Sequence, residues 1–300
     1  SGAGVVIGNA IQETKQLAEK LDSPVCSGYQ HNDSFPGSHP LAVGPLGYNG
    51  SKAAMELISK ADVVLALGTR LNPFSTLPGY GIDYWPKNAK IIQVDINPDR
   101  IGLTKKVTVG ISGDAKMVAI QLLEKLSSNA GDLNREERKN IIHQKKSAWL
   151  QTLTSLDHED DDPGTVWNKE ARERDKDRMS PRQAWRAIQA ALPDDVIISS
   201  DIGNNCAIGN AYPTFEKGRK YLAPGLFGPC GYGFPAILGA KIGCPETPVE
   251  RPEISDDCAL EYAVAVVDVA GSEDAACEAA FDAAHLADEG ADEQWYEYHT

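Results

Sequence analysis

Val63-Val64-Leu65-Ala66-Leu67 is an unbroken apolar run that stops at Gly68. A strand with one solvated face alternates apolar and polar residues, whereas a strand covered on both faces does not. Five apolar residues in a row, too few for a helix and closed by glycine, read as a buried parallel strand. Ile91-Ile92-Gln93-Val94-Asp95-Ile96 reads as a second, and Val107 to Ile111 as a weaker third. Helical patterns surround them. Ile11, Leu17, Ala18 and Leu21 fall on one helix face. Ser51 is placed to cap a helix through Lys60, and Asp114 to cap an amphipathic helix ending at Leu126. Strands alternating with helices predict an α/β domain with a parallel sheet over residues 1–126. Within it, Gly2 and Gly4 make a turn, Val25 starts a short strand after Pro24, and residues 28–50 form a long Gly/Pro loop.

Beyond residue 126 the pattern changes. Residues 127–179 read as a charged surface helix (133–153) and a linker (154–180) rich in Asp, Glu, Lys and Arg and poor in aliphatics. A second α/β unit covers residues 180–249. Ser180, Pro181 and Gln183 supply an N-cap, a first-turn proline and a capping-box partner for a helix to Leu192. Pro193-Asp194-Asp195 then turns into the strand Val196-Ile197-Ile198-Ser199-Ser200. A short helix, a strand near Tyr221, a Gly-rich stretch and a helix from Phe234 to Ile242 follow. Residues 250–300 form an acidic, divergent tail in which Tyr262 to Ala270 is strand-like and Ser272 to Asp288 an Ala-rich acidic helix.

The net charge of −14 resides wholly in that tail. Residues 250–300 hold 15 acidic residues and Arg251, so the 28 acidic and 28 basic residues left from totals of 43 and 29 cancel over residues 1–249. A neutral body gives no case for nucleic-acid or membrane binding. Hydrophobic content of 42% is that of a globular protein. No apolar run approaches the ~20 residues that cross a bilayer, and no leader pattern is present. The cysteines, Cys26, Cys206, Cys230, Cys244, Cys258 and Cys277, show neither Cys-x-x-Cys pairing nor zinc spacing, which fits reduced thiols in a cytoplasmic protein. The chain opens Ser1-Gly2-Ala3-Gly4 without Met, so its start is expected to lie upstream.

Three stretches could carry ligand chemistry. Gly2-Ala3-Gly4 before a helix could cradle a pyrophosphate or be a plain tight turn. No acidic ribose ligand stands at a strand end ~20 residues on, as a dinucleotide fingerprint requires. Ser199-Ser200-Asp201-Ile202-Gly203-Asn204-Asn205 ends a strand, where open α/β sheets bind ligands. Its bland alternative is a turn with Asn caps. Gly225-Leu226-Phe227-Gly228-Pro229-Cys230-Gly231-Tyr232-Gly233-Phe234-Pro235 places four glycines in nine residues, 225–233, among apolar side chains and before an apolar helix. That composition suits close backbone approach to a flat ligand, or packing on a neighbouring helix. Cys230 could be a nucleophile or an apolar contact; no basic partner stands near it in sequence. His31 and His39, among Asp33, Ser34 and Ser38, serve loop hydrogen bonding more readily than a triad.

Taken together, these segments resemble the thiamine-diphosphate enzyme family that includes acetolactate synthase. Gly28-Tyr29-Gln30-His31-Asn32-Asp33-Ser34-Phe35-Pro36-Gly37-Ser38-His39-Pro40, Gly44-Pro45-Leu46-Gly47-Tyr48-Asn49-Gly50-Ser51-Lys52, Leu67-Gly68-Thr69-Arg70-Leu71-Asn72-Pro73 and Gly81-Ile82-Asp83-Tyr84-Trp85-Pro86 bring it nearest to the sulfoacetaldehyde acetyltransferase branch. The resemblance implies a central, dinucleotide-binding-like domain over 1–126, lacking its first strand, and the start of a diphosphate-binding domain over 180–249. It implies that Gly203, Asn204 and Asn205 meet the diphosphate, that Gly228 meets the aminopyrimidine through its backbone carbonyl, and that Cys230 replaces a larger apolar side chain that props the cofactor. It further implies thiamine diphosphate with Mg²⁺, a small-molecule substrate and a homo-oligomer. The implied activity releases sulfite from sulfoacetaldehyde and passes the acetyl unit to phosphate. An acetolactate-synthase-like protein with FAD in the central domain, and a non-catalytic nucleotide-binding or subunit-association module, are the alternatives.

The same resemblance implies parts that this sequence lacks. The glutamate that activates the aminopyrimidine belongs to a domain expected before residue 1. The metal motif, Gly-Asp-Gly followed by roughly 25 residues and Asn, is expected after Val249, yet no Asn follows Asn210. Gly113-Asp114 precedes Asn140 at about that spacing, but Ala115 replaces the second glycine. Asp268 and Asp274 read as solvated acidic surface rather than metal ligands. No catalytic residue and no metal ligand is therefore assigned. The chain is expected to be a fragment, inactive alone, with a tail that arose by frameshift, a misread intron or alternative splicing.

Overall fold

The computed structural model describes residues 1–126, 135–155, 181–225, 227–247, 249–254 and 262–267. Its fold is α/β with parallel sheets, as the apolar runs predict. Three strands, β3 (Val63–Leu67), β4 (Lys90–Asp95) and β5 (Val109–Ser112), pair in parallel in the order β3-β4-β5. The register Leu65↔Ile92 and Val94↔Ile111 places the three apolar runs side by side. Helices α1 (Ala3–Ile7), α2 (Ile11–Leu21) and α4 (Ala115–Leu126) pack on this sheet, and Val5, Ala10, Leu67, Val94, Ala115, Val118 and Ala119 form the shared core. The Asp114 carboxylate accepts from Lys116 N and Met117 N at 3.0 Å each, which is the expected cap of α4. Ser51 likewise caps α3 (Lys52–Ile58) by accepting from Ala54 N.

Two readings of the first domain need correction. Gly2-Ala3-Gly4 is not a free turn but the entry to α1, with Gly2 at its N-cap. The glycines serve a close approach: Gly4 N donates to Gly68 O at 2.8 Å, and a Cβ on Gly4 would lie 2.7 Å from Gly68 Cα. The stretch 28–50 is not all loop, since Ala42–Pro45 is a strand, β2, parallel to β1 (Val25–Ser27). Glycines and prolines on either side of so short a strand mask it in the sequence.

Helix α5 (Arg135–Ser155) is less of a free surface helix than its charge suggests. Ile142 is buried in a core with Phe35, Leu41, Val43, Met55 and Tyr84. Its cations reach back to the first domain. Arg135 and Lys139 pair with Asp22, Arg138 donates to Leu21 O at 2.7 Å, and Lys145 pairs with Glu56 at 2.6 Å. Most of the linker, 156–180 with Ser180, lies outside the described residues, as does the tail apart from two strands.

The second unit opens with α6 (Pro181–Ala191), which packs Trp185 against Val196, Ile198, Phe215 and Tyr221. Its strands run in the order β7-β6-β8-β9, where β6 is Ile197–Ser199, β7 Tyr221–Leu222, β8 Val249–Ile254 and β9 Tyr262–Val267. Strand β6 is parallel to both β7 and β8, whereas β8 and β9 are antiparallel. Helices α7 (Asn204–Ala211) and α8 (Gly233–Gly243) follow β6 and the Gly-rich stretch.

Candidate functional site

Strand β6 is buried along its length and delivers Ser200 and Asp201 to its carboxyl end. Asp201 is itself buried. Its Oδ1 accepts from Ile202 N at 2.8 Å and from Gly231 N at 3.1 Å, and its Oδ2 accepts from Gly233 N at 3.0 Å. Hydrogen bonds to an ionised acceptor are the strong kind. One carboxylate thus ties the strand end to the Gly-rich stretch. Sequence reasoning quoted Asp201 but gave it no role; the signal was a lone acid directly after a buried apolar strand.

Gly203 sits at the N-cap of α7 with φ +86° and ψ −144°, a region open in practice only to glycine. The chain therefore turns from strand to helix within four residues, 200–203. No side chain caps this end of α7. The first-turn N–H groups of Asn204, Asn205 and Cys206 belong to the positive end of the helix, a natural seat for a phosphate. Gly203 and Asn204 are exposed.

On the other side of the Asp201 clamp, Gly228 has φ +67°, and a Cβ there would lie 3.0 Å from Ile202 Cδ1. Gly231, at φ +83°, is one of the three clamp donors. Cys230 is exposed between them, and Phe227 is 91% exposed. The structure thus gathers the five expected residues around one clamp: Gly203, Asn204 and Asn205 on the helix end, Gly228 and Cys230 on the tethered loop.

Helix α7 is held from behind by the first domain. Asn210 is fully buried; its Oδ1 accepts from Gln30 N at 2.7 Å and its Nδ2 donates to Tyr48 O at 2.9 Å. Asn32 Nδ2 donates to Asn210 O and to Pro213 O, both at 2.9 Å. The Tyr29 hydroxyl lies 3.0 Å from Cys206 Sγ, and Gln30 Nε2 donates to the same sulfur. Burial raises the pKa of both Cys206 and Tyr29, so thiol and phenol stay protonated. Asp33, buried as well, accepts from Lys220 N and Tyr221 N at 3.1 and 3.4 Å. Burial lifts its pKa to about 6, against the pull of those backbone donors. The sequence stretches that carry the resemblance include Tyr29, Gln30, Asn32, Asp33 and Tyr48, but their part in holding α7 and β7 was not read there, because their partners lie 160 or more positions away.

The loop histidines form no triad. His39 Nε2 lies 3.1 Å from Glu19 Oε1, and its Nδ1 accepts from Leu41 N. Ser38 binds Glu216 through its N–H and its hydroxyl. His31 is kept neutral by burial, its pKa lowered to about 4. It lines a cavity of about 540 Å³ at the carboxyl ends of β3, β4 and β5, with Gly4, Gly68, Arg70, Asp95 and Arg100. Gly113-Asp114 lies on the same cavity, and Asp114 is committed to capping α4. Among the described residues no three His, Cys, Asp or Glu side chains cluster as a metal site, and no helix is long and apolar enough to cross a membrane.

Two α/β units, the second opening a helix at Gly203 beside a clamped Gly-rich loop, make an α/β protein of the kind that places ligand sites beyond strand ends. Residues 1–126 match the family model for the thiamine pyrophosphate enzyme central domain, and residues 201–251 that for the C-terminal TPP binding domain. The chain belongs to the thiamine pyrophosphate enzyme family. It is 80% identical over 249 residues to a probable sulfoacetaldehyde acetyltransferase of Rhizobium meliloti, covering 83% of this chain and 42% of that protein. It is 76% identical to a sulfoacetaldehyde acetyltransferase of Roseovarius nubinhibens, over 83% of this chain and 41% of that protein. A probable acetolactate synthase large subunit of Methanococcus aeolicus is 30% identical, over 83% of this chain and 40% of that protein. The chain spans about two fifths of the length of the curated relatives it matches.

Proposed function

We propose that this chain forms one wall of the cofactor site of a thiamine-diphosphate-dependent acetyltransferase that converts sulfoacetaldehyde and phosphate to acetyl phosphate and sulfite. The observation that carries this is the Asp201 clamp, which fixes an uncapped helix end beside the Gly-rich loop. In this reading the N-cap amide of Gly203 and the first-turn amides of Asn204 and Asn205 hold the diphosphate. The Gly228 carbonyl meets the aminopyrimidine, and Cys230 stands where a prop for the cofactor is needed. These groups fit: glycine backbone allows close approach, and the helix end is donor-rich and carries the positive end of the helix dipole. Thiamine diphosphate, when bound, supplies the carbon nucleophile and electron sink for cleaving the carbon–sulfur bond. The chain's own part is to bind and orient it.

The wall is open. Gly203, Asn204, Phe227 and Cys230 all face solvent. A deep site therefore needs a second surface, contributed by other segments or by another subunit of a cytoplasmic homo-oligomer. That surface would also bring the acid that activates the aminopyrimidine and the oxygen ligands for Mg²⁺. The chain alone is accordingly inactive and binds the cofactor weakly. A second reading is supported by the 540 Å³ cavity at the carboxyl ends of β3, β4 and β5. Its position is that of a nucleotide cleft, and FAD there would make the protein acetolactate-synthase-like.

Calorimetry of the purified chain against thiamine diphosphate with Mg²⁺, FAD and NAD separates these readings. The expected dissociation constant for thiamine diphosphate is on the order of 1 mM, with no heat from FAD or NAD. Amide exchange under saturating thiamine diphosphate should slow at residues 203–206 and 228–233. Absence of that protection overturns the site assignment, while micromolar affinity or sulfite release by the chain alone overturns its incompleteness.

A further inference from the structure

We infer that Asn210 is the positioning residue through which the first domain sets the place of the diphosphate-binding helix. The inference rests on the reading that the N-terminus of α7 seats the diphosphate.

Asn210 lies six residues after Asn204, at the far end of an eight-residue helix, which at 1.5 Å per residue puts it ~9 Å from the proposed phosphate seat. Its side-chain hydrogen bonds go to the first domain. Its side chain uses both ends of its amide: Oδ1 takes the Gln30 N–H and Nδ2 gives to the Tyr48 carbonyl. Its own carbonyl takes a third bond, from Asn32 Nδ2. Three separate points of the first domain, at 30, 32 and 48, thereby converge on one residue of α7. Two of them are backbone groups, the Gln30 N–H and the Tyr48 carbonyl. Gln30 adopts φ +61°, a left-handed conformation that costs a non-glycine residue. That conformation is found at the residue whose N–H meets Asn210.

An amide suits this position. It accepts from one backbone group and donates to another at once, which Leu, Ala and an ionised Asp cannot do. The near end of α7 is held less specifically, by Tyr29 and Gln30 on Cys206. A helix fixed at its far end can tilt at its near end if the far anchor is cut. The phosphate-facing amides would then lose their fixed direction.

The test is amide hydrogen exchange on the full chain for Asn210→Ala, with Asn32→Ala as the second variant. Asn32→Ala removes the bonds to Asn210 O and Pro213 O but keeps the Asn210 side-chain pair. For Asn210→Ala, exchange at residues 204–211 should speed up at least about tenfold while β3, β4 and β5 keep their protection. Asn32→Ala should give a smaller, equally local acceleration, and it decides the matter if Asn210→Ala does not fold. Acceleration spread evenly over both domains, or none at 204–211, overturns the inference. In parallel, binding of inorganic pyrophosphate to wild type and variant is measured by calorimetry, with an expected weakening of about tenfold. If wild type binds no pyrophosphate while the exchange effect stays local, the positioning role stands and the cofactor reading of this helix end falls. If wild type binds pyrophosphate and Asn210→Ala changes neither exchange nor affinity, the positioning role falls and the cofactor reading stands.

Discussion

Replacing Asp33 by Asn tests whether a buried carboxylate strains the contact between the two domains. Asp33 is 2% exposed and has one satisfied oxygen: Oδ2 accepts from Lys220 N and Tyr221 N, while Oδ1 is buried without a hydrogen-bond partner. Burial therefore dominates the backbone donors and lifts the pKa from an ordinary 3.8 to about 6. The folded chain holds this proton more tightly than the unfolded chain. Between pH 4 and 6 the unfolded state releases it and the folded state keeps it, so stability falls as pH rises through that window. At about 1.4 kcal/mol per pH unit, the loss is on the order of 3 kcal/mol by pH 7. Asn keeps an acceptor for the two N–H groups, places its NH₂ where Oδ1 stood, and carries no charge. Urea unfolding of wild type and Asp33→Asn at pH 4, 5, 6 and 7 isolates the effect, because every other titrating group is common to both chains. The two should be nearly equal at pH 4, and the variant should lead by about 3 kcal/mol at pH 7. A difference that stays flat, or that favours wild type increasingly as pH rises, would show that the backbone donors already stabilise the charge and would refute the argument.

Two further substitutions probe the site directly. Asp201→Ala removes the acceptor of Ile202, Gly231 and Gly233 N–H groups at once; a loss of about 2–4 kcal/mol in chemical unfolding is expected, with the fastest-exchanging amides at 228–233. Gly228→Ala forces a left-handed φ on an L residue and a 3.0 Å contact with Ile202; a loss of about 1–2 kcal/mol is expected, with no matching loss in Gly239→Ala, where a Cβ meets nothing within 4 Å.

The first domain was largely legible because its signals are local. Val63 to Leu67 and Ile91 to Asp95 are short, mainly apolar runs, the signal expected of parallel strands, although in β3 only Ala66 and Leu67 are buried. Ser51 and Asp114 cap helices within three residues of themselves. Strand β2 was hidden because four residues between Pro40 and Gly47, one of them glycine, carry too little periodicity; its pairing with β1 supplies the order. The length of α5 was legible from its pattern, but its inward face was not, since Ile142 is a single buried residue in a highly charged helix.

The site divides along the same line. Glycine clusters advertise themselves, so the stretches around Gly203 and Gly228 stand out in the sequence as candidate ligand sites, with a capped turn and helix packing as the alternatives. The residues that hold those glycines in place could not. Asp201, Asn210, Asn32 and Asp33 are ordinary polar residues in loops or short helices, where a solvated turn is the default expectation. What distinguishes them is burial, and burial is set by partners far along the chain: Asn210 answers Gln30 and Tyr48, and Asp33 answers Lys220 and Tyr221. A buried polar group without a partner is costly, so such residues occur where two elements must meet in one orientation only. It follows that the domain contact here is specified by hydrogen bonds as well as by apolar area. The helix end that the diphosphate reading requires is therefore oriented by the first domain and not by its own unit alone.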